Sequence, residues 1–104
     1  MDRIDKIKDM LLDTPDDCFL LHALGLEYLK LNDNEKAIQC FEKLIAINRD
    51  YVGTYYHLAK TYERINSIEQ AIDTYNQGIS IATKLKDMHA RNELQMALDD
   101  VLDE

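Results

Sequence analysis

The sequence predicts an all-α fold, a stack of antiparallel helix pairs closed by one further helix, and three features lead there. Its 104 residues include only three glycines (Gly25, Gly53, Gly78) and one proline (Pro15), too little punctuation for the frequent turns of an all-β fold. Apolar residues recur at helical spacing: Leu21, Leu24, Tyr28 and Leu31 form one stripe over residues 17–31, and Ile38, Phe41, Ile45 and Ile47 form another over residues 34–47. The chain also repeats itself. An offset of 34 residues superposes Leu24 on Leu58, Tyr28 on Tyr62, Asn32 on Asn66, Ala37 on Ala71, Ile38 on Ile72 and Ile45 on Ile79 without an insertion. Gly25 then meets Ala59, and Phe41 meets Tyr75. A chain of this size buries roughly 60–65% of its extended surface, enough for one continuous core without a metal or disulfide, so residues 1–104 are read as a single domain.

The elements follow in order. Residues 1–15 hold a truncated copy: Ile4 and Ile7 stand 34 residues before Ile38 and Phe41, so only the second helix of a pair is expected there. Ile4, Ile7 and Leu11 would pack on the next pair, leaving Met10 or Leu12 uncovered. Residues 17–50 and 51–84 are the two full repeats. Asn32 and Asn66 end the first helix of each pair, because Asn tolerates the left-handed conformation at a helix terminus. Asp33, Asn34 and Ser67 are the candidate N-caps of the helices that follow. Residues 87–103 read as a closing amphipathic helix, with Leu94, Ala97, Leu98 and Val101 inward and Asp99, Asp100, Asp103 and Glu104 wet. Its acidic end opposes the helix dipole, and the last residues are expected to fray. Gly78 falls within a helix where the first repeat has Leu44, at a cost near 1 kcal/mol relative to Ala. Two readings stand: the missing side chain makes room for the closing helix, at Leu94 or Met88, or the site is weakly packed.

The repeated pattern resembles the tetratricopeptide repeat. Leu21-x2-Leu24-Gly25-x2-Tyr28 followed by Ala37-x3-Phe41 matches that motif, with Leu21 in the place usually held by Trp. The second copy runs Tyr55-x2-Leu58-Ala59-x2-Tyr62, then Ala71-x3-Tyr75. Pro15 occupies the closing-proline position of the partial repeat, whereas Arg49 and Thr83 replace it in the full copies. The resemblance covers residues 1–83, and the segment 51–81 is most similar to short bacterial members. It implies a right-handed α-α superhelix in which Gly25 and Ala59 face Ala37 and Ala71. It also implies a concave groove lined by the first helices, which would display Phe19, His22, Leu26 and Lys30, then Tyr56, His57, Lys60, Glu63 and Arg64. Aromatic anchors beside Lys and Arg suit a protein or peptide partner with an apolar residue flanked by acids. The carboxylate clamp of the family's chaperone-tail binders would fall, in ungapped register, on His22, Leu26, His57, Asp87 and Arg91; only Arg91 matches, so that specificity is not implied.

Composition narrows the function further. A formal net charge of −8 disfavours nucleic acid and anionic membranes, both of which reward basic surfaces. The stretch Phe19-Leu20-Leu21 is far too short to span a bilayer or form a signal-peptide core, so a cytoplasmic location is expected. Cys18 and Cys40 have no ligand-like spacing and read as reduced structural thiols. No phosphate-binding loop, HExxH or nucleophile motif is present, which points to a non-enzymatic binding protein without a cofactor. Two readings compete with groove binding. The uncovered N-terminal face would support a homodimer or end-to-end stacking. His22, His57 and His89, on three consecutive groove-lining helices, would offer metal ligands, although none of the usual local spacings is present.

Overall fold

The computed structural model describes residues 2–103. Six helices run in chain order: α1 (Arg3–Asp13), α2 (Cys18–Lys30), α3 (Asn34–Ile47), α4 (Gly53–Arg64), α5 (Ile68–Lys84) and α6 (Met88–Leu102), with no strand among the described residues. The extensive contacts all join helices consecutive in the chain, α1 with α2 through α5 with α6, and the body measures 43 × 29 × 19 Å. That is an elongated array in which each helix packs on its neighbours. No described helix is long and apolar enough to cross a membrane.

The inward stripes build one continuous core. Phe41, Leu44, Tyr55, Tyr75 and Leu94 are its largest fully buried side chains, flanked by Ile7, Leu24, Leu58, Ala71, Leu98 and Val101. Ala37, Ala59 and Ala71 are fully buried, which lets the paired helices approach. At Gly25 a β-carbon would stand 2.4 Å from the Phe41 ring, so the nearest obstacle is Phe41 rather than the expected Ala37. Gly78 shows the same economy: a β-carbon there would lie 2.7 Å from Tyr55 Cβ and 3.0 Å from Leu94 Cδ1. Of the two readings of this glycine the packing one holds, through Leu94 and Tyr55, while Met88 stays exposed. Two buried threonine hydroxyls are satisfied within their own helices. Thr61 and Thr74 donate to the carbonyls one turn back, of His57 and Gln70, at 2.6 and 2.7 Å.

The turns follow one scheme. Asn32, Asn66 and Lys86 adopt left-handed φ angles of 57°, 62° and 60°. After each, the next amide donates to a carbonyl five residues back: Asp33 to Tyr28, Ser67 to Tyr62, Asp87 to Ala82. Asn32 and Asn66 match expectation, and Lys86 adds a third such turn. Asp2, Asp17, Asp33 and Asp87 cap their helices through side-chain oxygens. Ser67 makes no side-chain cap bond, and Asn34 lies inside α3, its Oδ1 buried without a partner.

Two stripe assignments change. Leu31 and Ile47 are 65% and 40% exposed, because α2 has already turned at its C-cap Leu31 and α3 ends at Ile47. The ungapped register also lapses in α6. It would bury Asn92 and Met96, the images of Leu58 and Tyr62, yet both are exposed; the buried stripe is Leu94, Ala97, Leu98 and Val101, five residues further on from the image of Tyr55. The cause is local: α5 continues to Lys84 and turns tightly at Lys86, whereas a loop separates α3 from α4. At the C-terminus α6 reaches Leu102 with Val101 buried. Of the residues expected to fray, Glu104 lies outside the described residues.

Candidate protein-binding groove

The first helices α2 and α4, together with α6, carry two open clefts joined by an aromatic seam. The first, about 260 Å³, is bounded by Phe19, His22, Leu26, Glu27 and Lys30 of α2 and by Arg3 of α1. Phe19 is 70% exposed at its edge. Arg3 and Lys30 both reach Glu27, at 3.2 and 2.9 Å, and Lys30 holds the Glu27 carboxyl below its usual range, with Arg3 adding to the effect.

The seam is where α2 meets α4. The His22 ring lies 5.4 Å from that of His57, edge-on, and also packs near Phe41 and Tyr51. His22 Nδ1 is 3.2 Å from Thr54 Oγ1. Tyr56 meets His57 edge-on at 5.7 Å. Burial pushes both imidazoles below their ordinary value; the neighbouring His57 charge adds to this at His22, and Glu93 partly opposes it at His57. Two of the three histidines therefore approach each other as packing groups. His89 sits apart in the next cleft, and among the described residues no three His, Cys, Asp or Glu side chains converge on a metal-sized site.

The second cleft, about 400 Å³, opens between α4 and α6. Tyr56 and Lys60 form one wall, and His89, Asn92, Glu93, Met96, Ala97 and Asp100 form the other. The Lys60 ammonium lies 5.7 Å from the Tyr56 ring centre and 3.7 Å from Glu63. Met96 is 69% exposed, a flexible apolar group on the cleft's wall.

The remaining candidates serve the scaffold as well as the surface. Glu63 accepts a hydrogen bond from the Tyr75 hydroxyl. Arg64 donates to Asn32 Oδ1 at 2.6 Å, strapping the second repeat to the first. Arg91 is half-buried, bonds the Asn92 side chain at 3.3 Å and lies outside both clefts, as the shifted register of α6 requires. Sequence reasoning places His89 and Arg91 of that helix on the groove but misses the rest of the α6 wall, Asn92, Glu93, Met96 and Asp100; an exposed Met96 beside the Leu94–Ala97–Leu98 stripe is the available signal. The cations expected to attract an acidic partner are also engaged, Lys30 by Glu27, Lys60 by Glu63 and Arg64 by Asn32. On the uncovered N-terminal side, Leu12 and Met10 are 80% and 47% exposed, as anticipated.

An array of capped helix hairpins with an open, aromatic-lined inner face defines a helical repeat protein of the interaction-scaffold class. Comparison with known proteins gives the family. A TPR repeat model matches residues 25–66 and a tetratricopeptide repeat model matches residues 52–85. A tetratricopeptide repeat domain protein from Salinibacter ruber is 44% identical; its solution structure superposes with a TM-score of 0.79 over 84% of this chain and 88% of that one. A protein from Bordetella parapertussis, only 20% identical, shares the fold over 98% of this chain and 89% of its own, with a TM-score of 0.85. A TPR repeat-containing protein of Methanocaldococcus jannaschii is 40% identical over 58 residues, which are 56% of this chain and 17% of that much longer relative. The chain belongs to the tetratricopeptide-repeat family.

Proposed function

We infer that this chain, as tetratricopeptide repeats generally do, mediates protein–protein interaction, and that it binds an extended or helical segment of another protein along the α2–α4–α6 face, without catalysis. An apolar side chain of that segment seats in the α4/α6 cleft, between Tyr56 and Met96. The observation carrying this reading is that cleft itself, which pairs a half-buried tyrosine and a 69% exposed methionine across about 400 Å³ of open space. Rigid aromatic and adaptable thioether groups at one concave point are what an anchor residue requires. Glu93 and Asp100 on the α6 wall, neither in an ion pair among the described residues, favour a basic neighbour to the anchor on that side. Phe19 extends the apolar track into the α2 cleft.

Affinity capture from the source cell with wild type and with Tyr56→Ala/Met96→Lys tests the assignment. Partners held through the cleft should be lost from the double variant, the affinity of any identified ligand falling by about 2 kcal/mol or more, while the thermal melt is unchanged. An unaltered set of captured proteins rejects the cleft as the binding site.

A further inference from the structure

The opposite, outer face carries two clefts that are 34-residue images of each other. The first, about 330 Å³, lies between α1 and α3 over α2; Leu11, Leu24, Tyr28 and Cys40 floor it, and Lys36 and Lys43 stand at its rim. The second, about 260 Å³, lies between α3 and α5 over α4, with Ile45, Leu58, Tyr62 and Thr74 at the corresponding floor positions. One geometry thus occurs twice, and its charge inverts. Lys36 and Lys43 give way to Gln70 and Gln77, and Gln39 to Asp73. Lys8, whose ammonium lies 6.0 Å from the Tyr28 ring centre, gives way to Glu42, which accepts a hydrogen bond from the Tyr62 hydroxyl.

The second cleft shows that the helix packing does not need those lysines. Three cations nevertheless gather at the first, in a chain of net charge −8 with 12 basic residues in all. Only Lys36 has a carboxylate within ion-pair range among the described residues, Asp33 at 3.9 Å. Lys36 also lies 5.6 Å from the Tyr28 ring centre. Lys43 stands with Lys36 in the cleft's lining, and Lys8 approaches the same Tyr28 ring as Lys36, so the three charges surround one floor. Burial pushes the Cys40 thiol up to about 11, so it is a protonated apolar lining group and no nucleophile.

We propose that the α1/α3 cleft is a second binding surface, taking an acidic segment of a partner protein whose apolar side chain rests on the Leu11–Leu24–Tyr28–Cys40 floor while its carboxylates meet Lys8, Lys36 and Lys43. The cleft admits one or two side chains. A wide polyanion would meet the negative field of the rest of the molecule beyond these three lysines.

Fluorescence anisotropy with a capped synthetic peptide, a Leu-Phe pair set between glutamates, tests the proposal beside a control peptide carrying lysines instead. The glutamate peptide should bind wild type, weaken as salt rises, and lose about tenfold or more in affinity on Lys8→Glu/Lys43→Glu. Lys8→Ala/Lys43→Ala should lose less, and circular dichroism should show both variants folded, since these lysines are exposed. Tyr56→Ala/Met96→Lys, which disables only the inner-face cleft, should leave this affinity untouched. Chemical-shift changes should fall on Leu11, Leu24 and Cys40. No binding of the glutamate peptide, equal affinity for both peptides, or a loss caused by the inner-face variant instead overturns the proposal. So does a dimer in sedimentation that depends on Lys8 and Lys43, because the occupant would then be a second copy of the chain.

Discussion

At Gly78 one hydrogen in place of a methyl group decides how closely α5 can approach both α4 and α6. The obstacle to a side chain is Tyr55 Cβ at 2.7 Å, an atom fixed to the backbone of a fully buried residue, so relief requires a helix to shift. Overpacking of this kind costs about 1–3 kcal/mol, and the helix propensity gained by replacing glycine returns at most about 1 kcal/mol. Gly78→Ala should therefore destabilise the protein. Gly53 provides the contrast, since a β-carbon there meets nothing within 4 Å. Gly53→Ala should be neutral or stabilise by about 0.4–1 kcal/mol through the unfolded chain. Urea unfolding of the two variants separates these outcomes, and equal stabilities would mean that the close approach at Gly78 is not limiting. Gly25 belongs with Gly78, its missing side chain leaving room for the Phe41 ring.

Helix boundaries depend on single caps, and the two within-repeat turns differ there. Both Asp33 and Ser67 follow a left-handed Asn, but only Asp33 accepts a bond from the third amide of its helix, that of Lys36. Asp33→Ala should cost about 1 kcal/mol, and Ser67→Ala should cost clearly less, read as thermal melts and as amide exchange in the first turns of α3 and α5. These turns were legible in the sequence because Asn and Asp carry their local chemistry with them. The 34-residue repeat likewise gave α2 to α5, since neighbouring pairs pack in the same way. Where local chemistry changes, extrapolation lapses. Nothing at Thr83 stops α5 as a proline would, the helix runs on to Lys84, and α6 follows through a shorter connection than the one between α3 and α4. Leu31 and Ile47 fit a helical stripe by spacing alone, but a stripe ends where its helix ends. The inward stripe of α6 was legible, Leu94, Ala97, Leu98 and Val101 being buried as expected; the α4/α6 cleft was not, because it depends on how closely α6 docks on α4. Phe19, Tyr56 and Lys60 could be named as surface groups because the core positions beside them were already assigned.

For the whole molecule, cohesion passes mainly between helices adjacent in the chain, so the links that bridge repeats have unusual leverage. Among the described residues they include the His22–His57 seam, Arg64 to Asn32 at 2.6 Å, the Tyr62 hydroxyl to Glu42, the Tyr55 hydroxyl to the Arg49 carbonyl at 2.6 Å, and Lys84 to Asp50 at 3.4 Å. The seam is the one that titrates near neutrality. Both imidazoles have folded pKa values below their ordinary 6.5, so below that pH the unfolded chain binds more protons than the folded one. Stability from the seam is complete above about 6.5 and is lost as pH falls through the lower folded values. The groups facing the pair are neutral Phe41, Tyr51, Thr54 and Tyr56, with Glu93 alone favouring protonation, and only of His57. Because both rings are half exposed, the loss between about pH 7.5 and 5.5 should be of order 1 kcal/mol rather than the full cost of a buried charge. Urea unfolding at those two pH values measures it, and His57→Phe should flatten the dependence by removing one titrating ring and its repulsion of the other. An acid-induced loss undiminished in that variant would place the sensitivity elsewhere. A loss that shrinks in that variant makes the joint between the two repeats the weakest point of the array in acid, and amide exchange should then report α1–α3 loosening from α4–α6 before either half unfolds.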